Sequence, residues 1–396
     1  MLIDMDLDRD VGKLREDFPI LEKMHYFNTC ASGPAFKRVR DAVYDYWDQR
    51  MTGLRVPGLN TREQAAKFLH AGEDEIAWTC RASDTLHIIQ GMMDLKKGEN
   101  VVITDLGYPT TVYGWMPYRK HGVELKRIEN KDGMIWTEDF EKVIDDNTRV
   151  VSISHTEWTT GTTYDLKAIS EIAHEHNAVV AIDAYQSMGA VDINAPATGV
   201  DFLFAGAGKW LCCHTGAGIF YVRRDIIEDY DPDYRYFYNV TKAFQSGGAW
   251  AREDHDNIAD YEGALVSDAR RFERGTVSKT AAALRGLHAS LEYFNGLGMT
   301  NVERRVKKLS GILIDGLKDL DVYINTSDNP DKRAGVVTYH TGSHELNQKS
   351  LDALKKDKVS VSMRYAGGIG GIRTSTHFYN TEKDIEALLN AQKKLL

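Results

Sequence analysis

From about residue 75, apolar residues gather in short runs separated by amphipathic stretches. Short apolar runs bounded by turn formers predict buried strands, and stretches with apolar positions three and four apart predict helices. EIAWT (75–79) reads as a strand and TLHIIQGMMDL (85–95) as a helix. NVVITD (100–105) is a strand, followed by a helix near 110–121. VELKRI (123–128), RVVSIS (149–154), AVVAID (178–183), DFLFA (201–205) and GIFYV (218–222) all read as buried strands, and LKAISEIAHEHN (166–177) as a helix. Strands alternating with helices predict a doubly wound α/β fold with a mainly parallel sheet.

The pattern changes at residues 229–262, which are aromatic, polar and rich in loop formers. That stretch predicts a long surface excursion, of the kind that covers an active site. Two helices follow, at about 279–295 and 300–320. Beyond them come a strand (GVVTYH, 335–340), a helix (347–356), two more strands near 358–375 and a last helix (381–394). The expected organisation is an N-terminal arm (1–24) packing on a small C-terminal α+β domain (286–396), with a large domain (25–285) between them.

Composition narrows the function classes. The 396 residues are 42% apolar and 27% charged, ordinary for a globular enzyme of two domains. A net charge of -9 argues against a nucleic-acid partner, which wants a basic face. The acidic start MLIDMDLDRD lacks the basic-then-apolar pattern of a signal peptide, so a cytoplasmic protein is expected. Cys30, Cys80, Cys212 and Cys213 form no CxxC pair, which speaks against a zinc ribbon and for a reducing compartment. His174 and His176 do not form HExxH, and no metal site is expected.

In a doubly wound sheet, ligands bind beyond the carboxyl ends of the strands. After EIAWT come Arg81, Ala82, Ser83 and Asp84 at a helix start, where free N–H groups suit a phosphate. After NVVITD comes Tyr108, and after RVVSIS comes His155. AVVAID ends in Asp183, with Gln186 one turn on. After DFLFA comes the turn GAGK, ending in Lys209. It is not a P-loop, because Trp210 stands where Ser or Thr must follow the lysine. A carboxylate, a lysine, an aromatic face and an anion site at one sheet edge match the needs of pyridoxal phosphate (PLP).

The segments SHTEWTTGTTYDL, VVAIDAYQSMGAVDI, VDFLFAGAGKWL and GAGIFYVRRD resemble the class V aminotransferase family, and the resemblance runs from YFNTCASGP to GGIRTSTHFYNTEKDIEALL. That family includes cysteine desulfurases, isopenicillin N epimerase and C–S lyases. The resemblance implies a fold-type I PLP enzyme, with a large domain around a mainly parallel sheet of seven-stranded type and a smaller α+β domain. It implies a homodimer that shares its active sites. It implies that Lys209 forms the Schiff base, that Asp183 pairs with the pyridinium nitrogen and that Gln186 contacts the ring's phenolic oxygen. Ala82 and Ser83 would lie in the phosphate loop, and Tyr108 would stack on the ring. Gly275 and Thr276 would reach the phosphate of the neighbouring subunit, and Arg373 would clamp the substrate's α-carboxylate.

The chain departs from that family at several positions. Gly206 and Gly208 stand where many members have Ser and His, and Trp158 stands where many have Asn. No cysteine follows Cys213, so the loop nucleophile of the desulfurases is missing. The expected reaction is β-elimination by a C–S lyase on a cysteine-derived amino acid, rather than persulfide formation. Transamination and epimerisation are the alternatives. Arg364 and Arg81 are candidates for a second carboxylate clamp, and Tyr108, His155 and His377 for an acid on the opposite face.

Overall fold

The computed structural model describes residues 6–53, 58–236, 239–240, 264–274 and 281–395. Its strands in chain order are β1 (His25–Tyr26), β2 (Ile76–Thr79), β3 (Asn100–Thr104), β4 (Glu124–Ile128), β5 (Thr148–Ser154), β6 (Val179–Asp183), β7 (Phe202–Gly206) and β8 (Gly218–Val222). After two long helices, Ala281–Leu297 and Met299–Lys318, come β9 (Tyr323–Ile324), β10 (Val336–His340), β11 (Val359–Ser360), β12 (Ser362–Ala366) and β13 (Ile369–Ser375). Among the described residues no helix is long and apolar enough to cross a membrane.

The central sheet has seven strands in the order β2-β8-β7-β6-β5-β3-β4. β7, β6, β5, β3 and β4 run parallel, whereas β8 is antiparallel to both β7 and β2. Helices cover both faces, so β2, β3, β7 and β8 are buried at every position. That is why they appear in the sequence as unbroken apolar runs. β4 corrects the expectation of a buried strand: it is the sheet edge, and Glu124, Lys126 and Arg127 along it are partly or fully exposed. Charged side chains on an edge discourage pairing with another chain.

The helix expected near 110–121 is two pieces. Pro109–Tyr113 is α-helical, and Met116–His121 is a 3-10 turn with Pro117 near its start. Proline cannot donate to the preceding turn, so the helix breaks there. The helix Leu166–Glu175 forms as expected: Asp165 caps it by accepting from the Ala168 amide at 3.1 Å, and Leu166, Ile169 and Ala173 bury its apolar face. Most of the excursion at 229–262 lies outside the described residues.

The second sheet has the order β12-β13-β10-β9, all antiparallel, over a core of Leu309, Leu313, Leu317, Val337, Ile372 and Leu388. Where two strands were expected near 358–375 there are three, because β11 leaves this sheet to pair with β1, His25 opposite Val359. The N-terminal segment is bound tightly to this part of the chain. Asp8 pairs with Arg304, Arg305 and Lys308, and Arg15 donates to the Tyr379 carbonyl and to Asp384.

Arg305 is fully buried and donates to the carbonyls of Phe378 and Asn380 at 2.7 and 2.6 Å as well as to Asp8 at 2.5 Å. Removing such a fork leaves buried acceptors unsatisfied, each worth about 1–3 kcal/mol. Arg305→Ala is therefore expected to lower unfolding stability by about 3 kcal/mol or more, and Arg305→Lys to recover only part of it. Denaturant titration of the three proteins checks this.

Candidate active site

Five strand ends of the central sheet open on one cavity of about 590 Å³. At one end of it the helix Ala82–Met92 begins, with Arg81, Ala82 and Ser83 on the cavity wall. The first N–H groups of a helix have no partner within it and carry the positive end of its dipole, so this end suits an anion. Thr215, Gly216 and Ala217 line the same cavity just before β8, next to this helix start, since Gly218 pairs with Thr79.

Asp183 closes β6 and lies opposite Phe204 of β7, so the lysine turn just beyond β7 emerges beside it. Asp183 is buried, and its Oδ1 accepts from the Tyr185 amide at 2.8 Å. Burial raises its pKa, while the Tyr185 amide and the Lys209 charge hold it down. Burial lowers Lys209 from the usual lysine range to about 8; Asp183 and Cys30 act against that shift, whereas Arg373 and Arg364 add to it. A lysine near 8 is a mixture of amine and ammonium at neutral pH, as imine chemistry requires.

The Lys209 turn is fixed from outside. The Gly33 amide donates to the Gly208 carbonyl at 3.0 Å, and a Cβ on Gly33 would overlap the Lys209 carbonyl oxygen. The Lys209 Nζ lies 4.1 Å from the Tyr185 ring centroid and 5.5 Å from that of Tyr108. Tyr185 is the residue that sequence reasoning missed. Its ring fills the space vacated at the turn: a Cβ on Gly206 would sit 3.0 Å from the ring's Cζ and Oη, and one on Gly208 3.4 Å from Oη. The two glycines in place of larger residues were the signal, since small residues side by side make room for a ring.

Arg373 on β13 is buried, donating from Nε to Ser362 Oγ at 3.2 Å and from Nη1 to the Trp158 carbonyl at 2.8 Å. The indole of Trp158 lies 5.6 Å from the guanidinium and packs edge-on against Tyr108, with centroids 5.4 Å apart. Trp158 therefore joins Arg373 to Tyr108 through an aromatic contact. Gln186 lines a smaller recess of the same site with Tyr108, Trp158 and Lys209. Both ends of its amide are engaged, donating to the Cys30 carbonyl at 3.1 Å and accepting from Trp210 Nε1 at 2.8 Å.

Other candidates are placed elsewhere. His155 is bonded to Ser187 Oγ at 2.9 Å, and burial holds it down at about 4. His377 is bonded to the Trp210 carbonyl at 2.8 Å and is held near 3, again by burial. Both are neutral core histidines, which leaves Tyr108 at the cavity. Cys212 and Cys213 are buried and their thiols are pushed up by burial, Cys213 to about 12, so they are packing groups. Gly275 and Thr276 lie outside the described residues.

The cavity thus offers an anion seat, an amine, a buried carboxylate and an aromatic wall, which is the donor set PLP needs. The family profile described as aminotransferase class-V matches residues 57–388. The chain belongs to the class-V aminotransferase family. An uncharacterized aminotransferase of Schizosaccharomyces pombe is 28% identical to it over 97% of this chain and 96% of its own. A probable cysteine desulfurase of Methanothermobacter thermautotrophicus is 26% identical over 95% of each chain. The apo cysteine desulfurase of Thermococcus onnurineus NA1 matches with a TM-score of 0.84, 24% identity and 97% of both chains covered. A lysine-to-alanine mutant of C-DES with glycine covalently linked to its PLP cofactor matches with a TM-score of 0.81, 19% identity, and 95% and 98% coverage. This member of the family therefore has fold type I and uses PLP.

The same comparisons correct the expected reaction. Most relatives and structural neighbours across the whole length are named cysteine desulfurases or aminotransferases, with a cystine C–S lyase at 19% identity among the neighbours, and together they support a class-V PLP enzyme, not a C–S lyase specifically. Nor do they support setting the desulfurases aside. The missing loop cysteine removes a group at one position, and that alone does not specify which bond of a substrate breaks.

Glu157 is a second residue the sequence did not reveal. It is fully buried, and its Oε1 accepts from Thr104 Oγ1 at 2.7 Å and Tyr164 Oη at 2.9 Å, tying the ends of β3 and β5 together. Burial raises its carboxyl to about 7 despite those donors. Between the ordinary value of 4.5 and 7 the native state holds a proton that the unfolded chain has released. Its contribution is therefore full at low pH and is lost as pH rises through that window. Glu157→Gln is expected to flatten this decline, so that its stability relative to the parent improves between pH 5 and pH 8, measured by denaturant titration. A constant difference across that range would refute the assignment.

Proposed function

We propose that the protein carries out a PLP-dependent transformation of an α-amino acid, with Lys209 as the amine that holds the cofactor and Arg373 as the seat of the substrate's carboxylate. The observation that carries this reading is the pairing of a half-buried Lys209, held near 8, with the buried Asp183 at adjacent strand ends, facing a helix N-terminus. The cofactor, when bound, supplies an electron sink for charge that develops next to the substrate's amino group.

The protein's residues supply the rest. Ala82 and Ser83 offer backbone donors to the phosphate. Asp183, where the bond from Tyr185 and the charge of Lys209 oppose the effect of burial, would pair with the ring nitrogen and hold a proton there. Tyr108 and Tyr185 form an aromatic wall beside Lys209 that would hold the ring, and Gln186, which lines the adjoining recess, would contact its oxygen. Arg373 orients the amino acid so that the released Lys209 amine can take the proton next to the carboxylate. The names carried by the relatives, aminotransferase and cysteine desulfurase, are consistent with an amino-acid substrate.

We further propose a cytoplasmic homodimer whose partner completes the phosphate site through Thr276. An unusual surface supports self-association. Tyr44, Trp47 and Met51 fall on one face of the helix Lys37–Met51 and are 60%, 52% and 76% exposed. Sedimentation should give twice the chain mass, and Trp47→Glu should shift it toward one chain.

The decisive experiment is optical. The purified protein with PLP is expected to show a yellow band that borohydride bleaches with covalent retention of the cofactor. Lys209→Ala should lose that retention, and Arg373→Gln should keep the band while weakening amino-acid binding at least tenfold. A wild-type protein that stays colourless with added PLP would overturn the proposal.

A further inference from the structure

Arg373 is not the only cation at this site. β12 and β13 pair antiparallel, with Ser362 opposite Arg373 and Arg364 opposite Gly371. Arg364 is therefore the diagonal neighbour of Arg373 on the same face of the hairpin, a separation of about 7–8 Å. The hydrogen bond from Arg373 to Ser362 Oγ confirms which face this is, since Ser362 and Arg364 are two residues apart on one strand. Between Arg364 and its diagonal partner stands Gly371, which has no side chain to cover either guanidinium.

Neither arginine meets a carboxylate among the described residues. Arg364 is exposed and donates to the Met363 carbonyl beside it at 2.7 Å. Arg373 donates to a hydroxyl and a carbonyl. The carboxylate that approaches this hairpin, Asp105 beneath Gly367, is taken up by the amide and side chain of Asn130. Arg364 nevertheless acts on the site at a distance, since its charge bears on both Lys209 and Arg373. Arg81, the other candidate cation, pairs with Asp84 at 3.2 Å. Two like charges on one face without a counter-ion are unfavourable, and a ligand with two anionic groups relieves both.

We infer that the substrate is an acidic α-amino acid, its α-carboxylate on Arg373 and a second carboxylate at the end of a short side chain on Arg364. Arg364 is thus a specificity-determining residue at the mouth, and the inference rests on Arg373 being the seat of the α-carboxylate. Its exposure suits that role: the flexible stem follows side chains of different length, while buried Arg373 stays fixed.

Unreactive analogues test this without turnover. Succinate carries two carboxylates and butyrate one, on chains of equal length. Calorimetric titration of the PLP-loaded protein should show succinate binding at least about tenfold tighter, a difference of about 1.4 kcal/mol. Arg364→Gln should abolish that preference while leaving butyrate within about twofold, and Arg364→Lys should restore part of it. The inference is overturned if wild-type protein binds succinate no tighter than butyrate, if succinate fails to bind at millimolar concentration, or if Arg364→Gln weakens both ligands alike. Arg373→Gln separates failure of the second clamp from failure of the first. If it weakens both ligands while Arg364→Gln changes nothing, only the second clamp is lost. If it weakens neither, the carboxylate seat itself has been misplaced.

Discussion

Two neighbouring parallel strands, β6 and β7, end side by side, and their pairing places a carboxylate and an amine in the same apolar pocket. Neither group tolerates that burial alone. Desolvation drives Asp183 toward its neutral acid and Lys209 toward its neutral amine, and the charge of each opposes the shift of the other. The rest of the site is arranged around this balance. The bond from the Tyr185 amide opposes the neutral acid, and burial, with a smaller push from the arginines of the small sheet, keeps the lysine from becoming a permanent ammonium.

The aromatic residues give the pocket its shape. In this chain the lysine turn is stripped to glycines at 206 and 208, and the Tyr185 ring occupies the room they leave. Trp158 links Tyr108 to Arg373, so the aromatic wall of the cavity and the buried guanidinium are parts of one packed unit. A change in any one of these rings therefore reaches both halves of the site.

The sheet was legible because its inner strands are covered on both faces, and continuous apolar runs such as NVVIT and GIFYV seldom occur outside such enclosed strands. β4 misled for the opposite reason: Val123 and Ile128 bracket a stretch that the sheet edge leaves open to solvent. Lys209, Asp183 and the Ala82–Ser83 helix start were legible from their places at or just beyond strand ends, because topology brings those ends together. Side-chain direction could not be found that way. His155 and His377 also follow or neighbour strands, yet both turn into the core, where burial keeps them neutral. Glu157 carries no sequence signal of its own, and only the meeting of β3 with β5 shows that it is enclosed. Arg364 was visible as a candidate, but its position diagonal to Arg373 depends on a hairpin register that glycine-rich sequence does not announce.

The N-terminal strip links parts of the molecule that are otherwise far apart in sequence. Asp8 and Arg15 anchor it to the last helices, β1 pairs with β11, the Cys30 amide donates to Ser375 beyond Arg373, and Gly33 seats the lysine turn. Before it reaches the first long helix, the chain has touched both the strand that carries Arg373 and the turn that carries Lys209. The two sheets are consequently poor modules for recombination. A chimera that joined the large sheet of one relative to the small sheet of another would inherit a strip matched to only one of them, whichever parent supplied it.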